Sequence, residues 1–138
     1  MKPQLFSLTI VLFSLFVIGC GSGKPSDLPK LYPCTVKIID KTGAPVDNAS
    51  VVATSPDSKW ASIGLTDSTG VAVLKTNGIY PGVPLGTFKV IVTKYDVKEV
   101  NDEPIETLLF DESFANESTT PLQLKAEAKS NDATFEVF

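Results

Sequence analysis

The side chains able to do chemistry in this chain are two thiols, sixteen carboxylates and one indole, and no imidazole is among them. Without histidine, a Ser–His–Asp triad, a Cys–His pair and every histidine-bearing zinc site are out of reach. The two cysteines, Cys20 and Cys34, are too few for a cysteine zinc site. Cys34 opens a β-rich run, so it reads as a small buried hydrophobe; as a nucleophile it would lack an imidazole to take its proton. Paired carboxylates for glycoside hydrolysis exist by residue type. The stretch 34–138, however, is short and shows no cleft-forming insertion, so the chain reads as a non-enzyme that needs no cofactor. For binding, Trp60 in Asp57-Ser58-Lys59-Trp60-Ala61-Ser62 could stack on a sugar. Its alternative role is to close one end of a core.

Acidic chemistry concentrates between Tyr95 and Glu117. There Asp96, Glu99, Asp102, Glu103, Glu106, Asp111, Glu112 and Glu117 face one opposing charge, Lys98. Such a run repels itself and needs either solvation or cations. It is either a solvated connection between strands or, over part of its length, a Ca²⁺ site, which takes oxygen ligands but here lacks the spacing of an EF-hand loop. Leu108-Leu109-Phe110 within it is too apolar to stand in water without a role, so it tucks onto the edge of the fold or docks a partner. The whole chain carries a formal charge of −4, and all twelve of its basic residues are lysines. Without arginine it lacks the bidentate forks that read phosphate and guanine, and it has no basic patch for anionic lipid, so nucleic acid is not expected as a partner.

The elements that must position these groups begin with an export segment. Met1-Lys2 provides a small positive start, and Leu5 to Ile18 is an uncharged apolar block. As a helix that block would span about 21 Å, short of the roughly 30 Å hydrocarbon core and suited to a signal peptide. It ends at Val17-Ile18-Gly19-Cys20, followed by Gly21-Ser22-Gly23. That run resembles the lipobox of bacterial lipoproteins, with Ile18 bulkier than the usual residue there. The resemblance implies that 1–19 is a lipoprotein signal peptide, cut just before Cys20, and that the Cys20 thiol receives a diacylglyceryl group. Residues 20–33 then form a lipidated flexible tether, rich in Pro, Gly and Ser. Acyl chains on Cys20 hold the protein on the membrane outside the cytoplasm. Gly21, where Asp favours inner-membrane retention in some bacteria, points to the outer membrane.

From Cys34 on, apolar residues recur at spacing two. Val36-Lys37-Ile38-Ile39, Ser50 to Thr54, Ser62 to Thr66, Val71 to Leu74, Phe88 to Thr93, Leu122 to Glu127 and Thr134 to Phe138 are short β-rich runs. Turn chemistry separates them at Lys41 to Pro45, Ser55 to Ser58, Asp67 to Gly70 and Ser130 to Asp132. Short strands with turn signals between them indicate a sandwich or barrel. Gly43 and Gly70 suit positions of positive φ, Pro45 fixes the exit of the first turn, and Asp40 and Asp67 can accept bonds from turn amides. No amphipathic helix stands out, although Glu106 to Phe110 could form a turn of one.

The run Val36 to Val51 resembles the opening of carboxypeptidase regulatory-like domains, the transthyretin-like β-sandwiches of bacterial surface proteins. Thr66-Asp67-Ser68-Thr69-Gly70 matches the hairpin closure of that family. Pro84-Leu85-Gly86-Thr87-Phe88-Lys89-Val90 matches its Pro-x-Gly-x-aromatic-x-Val segment. The likeness covers Thr35 to Lys94; Tyr95 to Thr120 departs from it as an insertion. The resemblance implies an all-β, Greek-key β-sandwich of about seven strands over 34–138. It does not extend to the hydroxyisourate hydrolases of this fold, which use histidines and an arginine that this chain lacks.

The expected function is a non-enzymatic, membrane-anchored adhesion or interaction module of the cell envelope. The alternatives are a carbohydrate- or peptidoglycan-binding domain, or a structural accessory subunit of an envelope complex. An envelope protein or glycan is the expected partner, beside the membrane reached through Cys20. An exposed aromatic strip beside Trp60 would favour the sugar; an apolar, unpaired strand edge would favour a protein.

Overall fold

The computed structural model describes residues 23–138. The signal peptide read over 1–19, and Cys20 with it, lie outside the described residues. The inward faces follow directly from the alternation in the sequence. In β1 (Cys34–Asp40) the buried side chains are Cys34, Val36 and Ile38; in β2 (Ser50–Thr54) they are Val51 and Ala53. β7 (Gly86–Thr93) buries Phe88, Val90 and Val92, β10 (Gln123–Ala126) buries Leu124 and Ala126, and β11 (Asn131–Val137) ends on buried Val137. These residues form one cluster with Ala49, Ala72, Leu74 and Val83. Period-two alternation with one face dry and one wet is what a strand packed on a single core requires.

Two sheets enclose that core, and the fold is a β-sandwich. One sheet runs β11–β1–β4, with β4 at Val71–Val73; the other runs β10–β7–β2–β3–β5–β6. Its remaining members are β3 (Ala61–Leu65) and two short pairings, β5 (Lys75–Thr76) and β6 (Tyr80–Pro81). β1 lies parallel to β11, in register from Cys34↔Asn131 to Asp40↔Val137, and antiparallel to β4. A parallel pair needs a long crossover, and here nearly the whole domain lies between its two strands.

Two turns are built alike. In Asp40-Lys41-Thr42-Gly43-Ala44 the Asp40 carboxylate accepts from Thr42 N–H at 2.8 Å, Thr42 Oγ1 at 2.5 Å and Ala44 N–H at 3.0 Å. In Asp67-Ser68-Thr69-Gly70-Val71 the Asp67 carboxylate accepts from Thr69 N–H at 2.8 Å, Thr69 Oγ1 at 2.6 Å and Val71 N–H at 3.1 Å. The glycines close each loop at φ +83° and +76°. These bonds hold both carboxyls below the usual carboxylate range, the threonine hydroxyl bond being the largest cause.

The structure departs from the sequence reading in three places. The described residues hold eleven strands, not about seven. The excess comes from the short β5 and β6 and from a separate hairpin, β8 (Tyr95–Val100) with β9 (Glu103–Leu108). Most of the segment read as a solvated loop is therefore strand, and Glu106 to Leu108, where a helical turn was considered, belongs to β9. Asn101 and Asp102, at φ 54° and 63°, form the two-residue turn between them, matching the positive-φ pair of a type I′ hairpin.

Beyond the hairpin, Glu112–Ala115 is a 3₁₀ turn capped by the Asp111 carboxylate, and it delivers Phe114 into the core at 1% exposure. Finally, part of the stretch read as flexible tether lies against the sandwich. Tyr32 and Val83 exchange backbone bonds of 2.9 and 2.8 Å, so docked chain begins ahead of Cys34.

Candidate functional site

Cys34 is the one thiol among the described residues, 1% exposed and unpaired. Burial, reinforced by the charge of Asp132, pushes its pKa up to about 11 from an ordinary 9.0. A thiol that holds its proton this firmly is no nucleophile at neutral pH. Below pH 9 both the folded and unfolded chains keep the proton, and the thiol adds no pH dependence. Between 9.0 and about 11 the unfolded chain releases it while the folded chain does not, so stability falls as pH rises. Wild-type protein should lose about 2–3 kcal/mol more than Cys34→Ala across that window in paired urea titrations. An identical alkaline slope for both would contradict a buried thiol.

The carboxylates of the acidic segment are dispersed. Along β8 and β9 the carboxylates are spread over two strands and both faces, with Glu99 and Glu106 on one face and Asp96 and Glu103 on the other. Among the described residues no three Asp, Glu, Cys or His side chains come together as a metal-holding group. What the hairpin does offer is apolar surface. Tyr95, Val97, Val100 and Ile105 are each about half exposed. Leu108-Leu109-Phe110 divides: Phe110 packs against the core, while Leu109 is 48% exposed.

Trp60 lies at the other end of the molecule. It is half-buried and stands apart from the core cluster, so it does not close the core. It lines a furrow of about 520 Å³ together with Tyr32, Pro29, Lys30, Pro84 and Leu85. One wall is thus the segment read as tether. Asp27 in that segment pairs with Lys59 at 3.0 Å, which holds the Asp27 carboxyl below its usual range. The Lys59 ammonium stands 5.5 Å from the Trp60 ring centre, and Lys30 stands 5.4 Å from that of Tyr32. The loop under Trp60 is tied by Ser55, whose hydroxyl donates to Asp57 at 2.6 Å and accepts from Trp60 N–H at 3.1 Å.

A second hollow, about 620 Å³, adjoins the first through Pro56 and Phe88, and is lined by Thr87, Lys89, Asn116, Glu117, Ser118 and Gln123. Sequence reasoning found Trp60 but missed Tyr32 and the polar half. The usable signal was Tyr32-Pro33 standing directly before β1; the polar half joins side chains far apart in sequence and left none.

Among the described residues no helix is long and apolar enough to cross a membrane, and no buried side-chain polar atom lacks a partner. No protein-family model matches the chain, and no curated protein does. Among solved structures it resembles the major pilin subunit of Bacillus cereus, with TM-score 0.49 and 19% identity over 80% of this chain and 30% of that one. It also resembles a 9R-lipoxygenase from Cyanothece, with TM-score 0.41 and 16% identity over 84% of this chain and 18% of that one. The chain therefore spans less than a third of either protein. Its two sheets and their shared core make it a β-sandwich protein.

Proposed function

We propose that this chain is a bacterial lipoprotein whose carboxypeptidase regulatory-like sandwich serves as a non-enzymatic interaction module of the cell envelope. The observation that carries the reading is the uncharged block Leu5 to Ile18 ending on Gly19-Cys20. That order suits an export signal cut before an acylated thiol. The paired Asp-x-Thr-Gly turns support the domain reading.

The docked segment gives the anchor a geometric meaning. Seven residues lead from Cys20 to Asp27, a reach of at most about 25 Å. A lipid on Cys20 thus keeps the furrow end close to the membrane. β7 runs from Gly86 at that end to Thr93, seven residue steps or roughly 23 Å away. The β8–β9 hairpin leaves from there, so the anchor points it outward. An isolated two-stranded hairpin is marginal in water, and this one exposes apolar side chains and unpaired strand edges. This favours protein docking at the outer end, as an adhesion module or an accessory subunit.

Intact-mass analysis of membrane-extracted protein should find a chain that begins at Cys20 and carries acyl mass. Cys20→Ala should stay uncut and lose lipid-dependent membrane retention. A photo-crosslinker at Val97 on the lipidated protein should join it to another envelope protein, whereas one at Lys41 should not. A soluble product with free Cys20 would overturn the anchor, and equal crosslinking from both positions would overturn the docking surface.

A further inference from the structure

Two hollows, one of them lined by Trp60, meet at Pro56 and Phe88 and are treated together as one furrow across the end of the sandwich. We infer that this furrow is a binding site for an uncharged chain of pyranose sugars. Its halves differ in chemistry. The first presents two half-buried rings, Trp60 and Tyr32, flat faces suited to the C–H faces of a sugar. The second presents Gln123, Asn116 and Thr87, amide and hydroxyl groups suited to sugar hydroxyls. Among the described residues the Gln123 side chain makes no hydrogen bond, and Lys30 and Lys89 have no carboxylate partner. Gln123 and Lys89 are free to meet a ligand, while the Lys30 ammonium stands 5.4 Å from the Tyr32 ring centre.

Charge decides which chain fits. Lys30 and Lys89 on the walls are balanced by Asp57 and Glu117. A furrow of balanced charge gives no long-range pull on a polyanion, an anionic lipid surface or a basic peptide. Its carboxylates and ammoniums can still bond neutral hydroxyls. Each half has the size of a small-molecule pocket, so together they suit an oligomer better than a single sugar. Lys59 is not among the furrow's lining residues, and its ammonium, held by Asp27, leaves the wall of the furrow to the indole. The site is independent of the hairpin and does not require the anchor to be as proposed.

Trp60 is the only tryptophan in the chain, so its emission reports on the furrow alone. The full-length protein, kept in a detergent without sugar headgroups, would be titrated with cello-, chito-, malto- and manno-tetraose. A saturable change in Trp60 emission with at least one of them is expected. Calorimetry with that sugar should show binding weakened about tenfold or more by Trp60→Ala. Gln123→Ala, at an exposed strand position whose side chain makes no intrachain bond, should weaken binding by about threefold or more. Lys125→Ala, on the same strand but outside the furrow, should bind as wild type. Trp60→Phe guards against misfolding by keeping an aromatic ring, and should bind more tightly than Trp60→Ala. Silence with all four sugars would overturn the inference. So would tighter binding of a uronate tetramer or of a proline-rich decapeptide, or sugar binding indifferent to Trp60 and Gln123.

Discussion

Phe114→Ala should lower the folding free energy by about 3–5 kcal/mol, the range for deleting a buried phenylalanine ring. Phe114 is 1% exposed and packs edge-on against Phe138, with ring centres 5.1 Å apart at 90°. It sits on a single 3₁₀ turn held by Asp111, whose carboxylate accepts from Ser113 N–H at 2.9 Å and whose own N–H donates to the Phe138 carbonyl at 2.7 Å. The ring therefore ties the end of the acidic insertion to the last residue of the chain. Urea denaturation should show the midpoint falling with little change in slope. Were the insertion only a solvated connection, truncating the ring would cost less than about 0.5 kcal/mol, the usual scale for surface changes.

Gly70→Ala should cost about 2–4 kcal/mol, combining a left-handed backbone penalty with a collision. At φ +76° an added Cβ would stand 2.6 Å from the Ile38 carbonyl oxygen and 3.0 Å from the Pro45 ring. The strain would fall where the turn locks onto β1, since Ile38 N–H donates to the Gly70 carbonyl at 2.8 Å. Gly43 is the internal control. It has φ +83° but nothing within 4 Å of an added Cβ, so Gly43→Ala should cost only about 1–2 kcal/mol. Equal losses in the two variants would show that the close approach at Gly70 relaxes without cost.

The same pair of turns shows what the sequence made legible. Asp, Thr and Gly act on neighbours two to four residues away, so their roles at 40–44 and 67–71 follow from local chemistry alone. The inward faces of β1, β2, β7 and β10 are legible for a similar reason, because apolar alternation reports burial directly. The β8–β9 hairpin escaped because its alternation is filled with Asp and Glu, residues depleted in strands. Asn101-Asp102 also stands where the familiar turn signal would have Gly. Phe114 escaped because one apolar residue among charges has no period to betray it. The furrow was half visible: Trp60 was singled out as a ring that either stacks on a sugar or closes the core, but Tyr32, Lys89 and Gln123 meet it only through tertiary packing.

The parallel pairing of β1 with β11 also governs how the domain carries mechanical load. The two strands start at the same end of the sandwich and finish at the same end, in register over seven residue pairs. A pull that draws Cys34 one way along the strand axis and Phe138 the other acts along the two strands in opposite senses. It therefore shears the ladder instead of unzipping it, and the backbone bonds along that pair resist together. A protein held at its N-terminal side and tugged from its C-terminal side is loaded along the direction in which its terminal strands are strongest.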